Sequence, residues 1–257
     1  MYQPTMRTVC IVQARMSSTR LPGKVLLPLA GREVLAHVLD RLACCHTLDD
    51  VVVATSSDAS DDVLAQWCRA RGVRVFRGSL HDVLDRYYQC AIANKATAVV
   101  RITADCPALD PTLVDDVVRG FHAGGYDLYC LGGEFPDGLD CQVFSFSALE
   151  RAWREAVLGS EREHVGPYIG NHPEFFHLGS LKKFKGLAHH RWTLDEPRDL
   201  VFLQSLFARL QRPDGQPFLT QDILDLLERE PELLQTNEGI VRNEGLLKSL
   251  AADAVQA

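Results

Sequence analysis

A membrane-spanning helix needs about 18 or more consecutive apolar residues, and no such run occurs in this chain. Residues Met1–Arg7 lack the apolar core of a signal peptide, which predicts a cytoplasmic protein with no membrane insertion. The C-x-x-C spacing of redox and zinc motifs is also missing. So are the P-loop pattern G-x-x-x-x-G-K-[ST], since Val25 follows Lys24, and the dinucleotide fingerprint G-x-G-x-x-G. P-loop NTPases and nicotinamide-dependent dehydrogenases are therefore disfavoured. A basic excess is lacking too: 27 Lys and Arg against 34 Asp and Glu leave a net charge of −7. That argues against a non-specific nucleic-acid partner, which needs a basic face, although a local basic cluster can still bind a small anion. Internal repeats and low-complexity segments do not occur.

The eight cysteines do not read as a disulfide framework. The chain is large, Cys44 and Cys45 are adjacent and cannot easily bridge each other, and Cys10, Cys68 and Cys90 fall among apolar positions of strands or helices. Such cysteines behave as small buried hydrophobes.

Present in quantity is apolar material, 46% of 257 residues, enough for one large α/β domain. The first half alternates strands and helices. Strands are expected at Val9–Val12, Val51–Thr55, Val73–Phe76 and Ala98–Ile102. Helices are expected over Glu33–Ala43, after a Ser60 cap with Val63, Leu64, Trp67 and Cys68 inward, over Asp82–Asn94, and after Asp110-Pro111. Four consecutive β-α units predict an α/β fold with a mostly parallel sheet and helices on both faces. Beyond Gly124-Gly125 the pattern changes. Strands are read at Asp127–Cys130, Cys141–Phe146 and Phe175–Leu181, with helices over Phe146–Val157 and Arg162–Ile169. This region, about 125–185, is expected to be an inserted β-rich lid or dimerisation element within a domain spanning 1–212. A short strand at Arg191 then leads to a helix capped by Asp195. The tail, 213–257, reads as helices over Thr220–Glu230 and Gly239–Ala251, with Leu226, Leu227, Leu233 and Leu234 packing on the core or on a partner subunit.

The most informative segment runs from Val9 to Gly31. A buried strand leads into a loop bearing Arg15, Arg20 and Lys24 among Ser17, Ser18 and Thr19, with a Pro22-Gly23 turn. Open α/β sheets bind their ligands at the carboxyl ends of strands, and three cations there suit a polyphosphate held by side-chain charge and backbone N–H groups. The rival reading is a solvated basic loop. Pro22 and Gly23 stiffen the loop, and the helix after Gly31 fixes its far end, which favours the anion site.

Asp105 lies directly past the fourth strand, held by Pro107, and Asp195 lies between a short strand and a helix. Each has an ordinary alternative, a turn residue and a helix N-cap respectively. Together, beside a cationic loop, they can hold Mg²⁺, which takes a few carboxylates with phosphate oxygens and water. Thr55 and Ser56 read as either a base or ribose contact or a capped turn. Arg77, Asp82 and Arg86 read as either a nucleoside contact or a solvated helix face. Asp137, Asp140, Glu161 and His164 are candidate acceptor contacts. His189-His190 does not suit a metal pair, since adjacent strand residues point to opposite faces. No general base is evident, and no Ser-His-Asp or Cys-His arrangement follows from spacing.

With these residues in view, the chain resembles the cytidylyltransferases that make CMP-activated sugar acids, the CMP-Kdo and CMP-sialate synthetases, and within them the spore-coat polysaccharide biosynthesis branch. The resemblance is carried by Gln13-Ala-Arg-Met-Ser-Ser-Thr-Arg-Leu-Pro-Gly-Lys24, Val52–Thr55, Phe76–Ser79 with Asp82–Arg86, Arg101–Pro107, Pro136–Asp140, Glu161–His164 and Arg191–Pro197. It implies a nucleotide-diphospho-sugar transferase fold, a homodimer formed through the inserted region, and a loop from Arg15 to Lys24 that binds the triphosphate of CTP. It also implies that Asp105 and Asp195 are the Mg²⁺ ligands. The nucleotide-binding set is then Gln13, Ala14, Arg15, Ser17, Ser18, Arg20, Lys24, Thr55, Ser56, Arg77, Asp82 and Arg86, with Arg15, Lys24 and Asp105 catalytic. The CMP-Kdo enzymes carry Gly-Asp-Glu-Pro where this chain has Ala104-Asp-Cys-Pro107, and the sialate enzymes carry Pro where Gln13 stands. The expected reaction joins CMP from CTP to an acidic sugar with release of pyrophosphate. Its rivals are a glycosyltransferase of related fold, disfavoured because no Asp-x-Asp motif lies near Asp105, and a non-catalytic nucleotide-binding subunit.

Overall fold

The computed structural model describes residues 6–212 and 214–256. Most of the N-terminal stretch read for a signal peptide, Met1–Thr5, and the tail's first residue, Pro213, lie outside the described residues. Strand β1 (Thr8–Gln13) opens the chain. A small hairpin, β2 (Pro28–Leu29) and β3 (Arg32–Glu33), closes the basic loop and feeds α1 (Val34–Leu42). Then come β4 (Asp50–Ser56), α2 (Asp62–Ala70), β5 (Val75–Gly78), α3 (Val83–Ala93), β6 (Ala98–Thr103) and α4 (Pro111–Gly124). The second half adds β7 (Leu128–Gly133), β8 (Gln142–Ser145), α5 (Phe146–Glu155), α6 (Gly159–His164), α7 (Pro167–Asn171), β9 (Leu178–Phe184) and α8 (Pro197–Leu210). The tail carries α9 (Thr220–Arg229) and α10 (Glu244–Gln256).

One seven-stranded sheet runs in the order β5-β4-β1-β6-β8-β7-β9. The β1 strand pairs in parallel with β4 and β6, and β8 alone runs against its neighbours. The period-two alternation of β1 explains the two-sided core: Cys10 and Val12 join one apolar cluster with α1, α4 and α8, while Val9 and Ile11 join another with α3 and α5. The expected mostly parallel α/β fold is thus present. The region read as an inserted β-rich lid or dimerisation element supplies β7, β8 and β9 to that same sheet.

Local chemistry explains other departures. Ser60 does not cap α2. The Asp58 side chain accepts from Ser60 N, starting a short turn ahead of the helix, and Val63 is left outward at 49% exposure. The helix read over Arg162–Ile169 is two short ones, broken at Val165, whose φ is +68°. Asp195 does not cap α8: Asp199 reaches back and accepts from the N–H groups of Asp195 and Glu196. Asp110 does cap α4 as expected, with Pro111 in its first turn. In the tail, Leu226, Leu227 and Leu233 are buried against the core. All eight cysteines are free, and no helix among the described residues is long and apolar enough to cross a membrane.

Candidate active site

The carboxyl ends of β1 and β6 lie side by side, with Gln13 paired to Thr103. Ala104 N donates to Gln13 O at 2.9 Å, so the chain leaves both strands at one point and Asp105 follows at once. A third segment closes this corner: Leu194 N donates to Asp105 O at 2.8 Å, which brings Asp195 beside Asp105.

The basic loop is anchored by a residue that the sequence reading missed. Asp61 is fully buried, and its carboxylate accepts from Met16 N at 2.7 Å and from Ser56 N at 3.0 Å. Gly23 closes the loop. Its φ of +72° is left-handed, and its N–H donates to Met16 O at 2.9 Å just before Lys24 enters a 3₁₀ turn. Lys24 is thereby turned inward and is 8% exposed. Its ammonium lies 2.5 Å from Asp105 Oδ2 and 2.7 Å from Asp195 Oδ1.

Burial alone would lower the proton affinity of Lys24, but the two carboxylates outweigh it and raise it. Burial alone would likewise push Asp105 up, yet the Lys24 ammonium draws its carboxyl down to about 2. Asp195 also meets Arg20 at 2.9 Å and Arg191 at 3.1 Å. Arg191, buried at 7% exposure, is gripped by Asp137 and Asp199 and keeps its proton more firmly than a free guanidinium.

The cleft has two halves that share Arg20, Thr103, Asp105 and Asp195. One, of about 380 Å³, is lined by the basic loop: Gln13, Ala14, Arg15, Ser18, Arg20 and Lys24. The other, of about 470 Å³, is lined by Asp137, Asp140 and His164 together with Arg101 and Gln142. Burial and the neighbouring Asp140 push the Asp137 carboxyl up to about 7, although Arg191 opposes the shift. Burial lowers the proton affinity of His164.

Several sequence-predicted residues do not reach the cleft. Thr55 and Ser56 are fully buried, and Ser56 donates to Asp61. Arg77 donates to Ser56 O and Asp58 O, which pins the turn after β4. Asp82 caps α3 and pairs with Arg162. Arg86 is fully buried and donates to Ser79 O, with its Nε and Nη2 lacking partners. Glu161 caps α6 by accepting from Val157 N and Leu158 N. Ser17 is exposed and is not part of the lining.

Those residues hold the walls; the reactive-looking groups converge on the Lys24 corner. A family model for cytidylyltransferases matches residues 9–227, from β1 through most of α9. The chain belongs to the cytidylyltransferase family. Among its relatives, an uncharacterised protein of Methanocaldococcus jannaschii is 36% identical over 91% of this chain and 96% of its own length. The spore coat polysaccharide biosynthesis protein SpsF of Bacillus subtilis is 34% identical over 89% of this chain and 97% of its own length. A solved cytidylyltransferase from Leptospira borgpetersenii superposes with a TM-score of 0.85 at 31% identity, covering 92% of this chain and all of that one. The matched part of this cytidylyltransferase holds both Asp105 and Asp195, whereas α10 lies beyond it.

The site residues that sequence reasoning missed include Asp61, Arg191 and Asp199, which position the loop and Asp195, and Arg101, Gln142, Glu163, Glu244, Lys248 and Ser249, which line the cleft. Only Asp199 carried a readable signal, an acidic residue three positions after the helix-capping position.

Proposed function

We propose that this cytidylyltransferase transfers CMP from CTP to an acidic sugar or similar acceptor, releasing pyrophosphate, with Mg²⁺ as its cofactor. The observation that carries the reading is the Lys24 ammonium lying within 2.7 Å of both Asp105 and Asp195 at the foot of a loop bearing Arg15 and Arg20. One cation reaches both carboxylates, so the pair fits a small divalent ion that takes one or two carboxylates and completes its shell with phosphate and water. Asp105 and Asp195 would hold Mg²⁺, which when bound neutralises phosphate charge and polarises the reacting phosphoryl group.

Arg15, Arg20 and Lys24 bind the triphosphate and stabilise charge that builds on the departing pyrophosphate. An acceptor hydroxyl oxygen attacks the α-phosphorus; the bond from that phosphorus to the bridging oxygen breaks, and pyrophosphate leaves. Asp137, lining the acceptor half, takes the hydroxyl proton. Arg101 and His164 offer an anionic acceptor its partners, which supports a sugar acid. The 125–185 region, with edge strand β9 and outward Val157 and Phe175, supports a homodimer contact.

Incubation with CTP, UTP, ATP or GTP in Mg²⁺ beside a panel of acidic sugars tests the reading. Pyrophosphate release with CTP and one acceptor is expected. Consumption of a ready-made nucleotide sugar, or nucleotide binding without turnover, would overturn it.

A further inference from the structure

The C-terminal helix α10 forms part of both halves of the cleft. Glu244 and Gly245 border the two, and Lys248 and Ser249 line the nucleotide half. The Glu244 carboxylate bridges two cations: Oε2 accepts from Arg20 at 2.7 Å, and Oε1 accepts from Lys248 at 2.7 Å. A carboxylate between two cations, in a space lined by a phosphate-binding loop, has the charge and oxygen spacing of a stand-in anion.

The way α10 is held matters as much. Ser249 Oγ donates to Glu163 at 2.7 Å, Asp253 accepts from Ser160 N at 3.1 Å, and His164 Nε2 lies 3.1 Å from Ser249 Oγ. Leu247 and Leu250 stay outward at 53% and 44% exposure, so the helix is docked through polar contacts rather than an apolar seam. Exposed polar and ionic contacts are individually weak, and a helix held by them can shift without opening the core.

We infer that Lys248 is a triphosphate-binding residue supplied by the tail, and that Glu244 holds the place of a phosphate between Arg20 and Lys248 until the nucleotide arrives. This rests on the CTP reading above. On binding, a β- or γ-phosphate takes the place of the Glu244 carboxylate, and Arg20 and Lys248 both turn from an internal anion to the ligand. The family match ends at residue 227, so Glu244 and Lys248 lie beyond the matched core while their partner Arg20 lies within it.

Calorimetric binding of CTP and of CMP to the full chain, with Mg²⁺ and without acceptor, tests the inference. Glu244→Gln is expected to tighten CTP about five-fold by removing the internal competitor, and Lys248→Ala to weaken it about five-fold. Lys248→Arg retains most of the affinity. CMP, which lacks the outer phosphates, binds equally to all forms. Equal CTP affinity in wild type, Glu244→Gln and Lys248→Ala overturns the inference, as does a matching shift for CMP, which would mark a structural effect. If Lys24→Ala abolishes CTP binding while both tail variants leave it unchanged, the CTP reading stands and only the tail assignment falls. If folded wild type binds no CTP, both fall.

Discussion

Arg191 and Asp199 form a two-point pair, with Nε 2.9 Å from Oδ1 and Nη2 2.9 Å from Oδ2. Asp199 is fully buried, and its Oδ2 also accepts from the N–H groups of Asp195 and Glu196. One carboxylate thus fixes the backbone that carries Asp195 and the guanidinium that touches it. Removing it leaves the buried Arg191 with Asp137 and the more exposed Asp195 only. Breaking such a pair from one side costs about 3–5 kcal/mol, so Asp199→Ala is expected to lower the melting temperature by roughly 10 °C. Activity should fall further than the lost folded fraction explains. A thermal melt and a turnover assay on the same sample separate the two; an unchanged melt would remove Asp199 from this role.

Lys24 bridges Asp105 and Asp195 through its ammonium. Lys24→Ala is expected to cut pyrophosphate release by about two to three orders of magnitude, the usual effect of deleting a charge-stabilising donor. Asp195→Asn, by contrast, should raise the Mg²⁺ concentration needed for half-maximal rate while leaving nucleotide affinity at saturating metal nearly intact. A metal titration of both variants distinguishes the roles. If Asp195→Asn titrates like wild type, the carboxylate pair is not the metal site.

The fold was legible because its signals are local. The β1 run Val9–Val12 and the Asp110-Pro111 cap each contain their own explanation, and both elements formed where expected. The loop cations were legible because charged residues in a stiff segment after a buried strand have few other uses. What the sequence hid is long-range. Asp61 reaches Met16 across 45 positions, and Glu244 reaches Arg20 across 224; no periodicity encodes such pairings. Ser56 looks like a ligand contact for the same reason until its buried partner Asp61 is known, while Thr55 is buried with its hydroxyl unpartnered among the described residues. Residues 125–185 read as an insertion because their helix-strand alternation breaks, and their strands β7, β8 and β9 extend the sheet beyond β6 through pairings that no local pattern encodes.

His190 offers a stability prediction. It is 7% exposed, its Nδ1 has no partner, and it lies against His189 and Trp192. Burial, with a smaller push from His189, lowers its proton affinity to about 4 from the ordinary 6.5. The unfolded chain therefore binds a proton between these values that the folded chain refuses. Stability from this group is full above about 6.5 and is lost as the pH falls towards 4, by up to about 3 kcal/mol. Urea unfolding of wild type should weaken across that window, and His190→Phe should flatten the dependence. Identical slopes in the two proteins would show that His190 is not the titrating group.

Asp137 gives the reaction its expected pH dependence. Its carboxyl is pushed up to about 7 by burial and by Asp140, against Arg191 and Arg242, with Asp195 adding a smaller push in the same direction. A base must be unprotonated to accept the acceptor's proton, so kcat/KM for the acceptor should fall as the pH drops below about 7. Asp137→Asn keeps the shape and loses the titrating oxygen. It should lower the plateau and remove that acidic limb, while the KM for CTP changes little because Asp137 lines only the acceptor half. The matching control is Asp140→Asn, which removes a like charge 3 positions away and should move the limb to lower pH without abolishing it. An acidic limb that persists unchanged in Asp137→Asn would assign the proton to a different group and leave Asp137 as the anchor of Arg191.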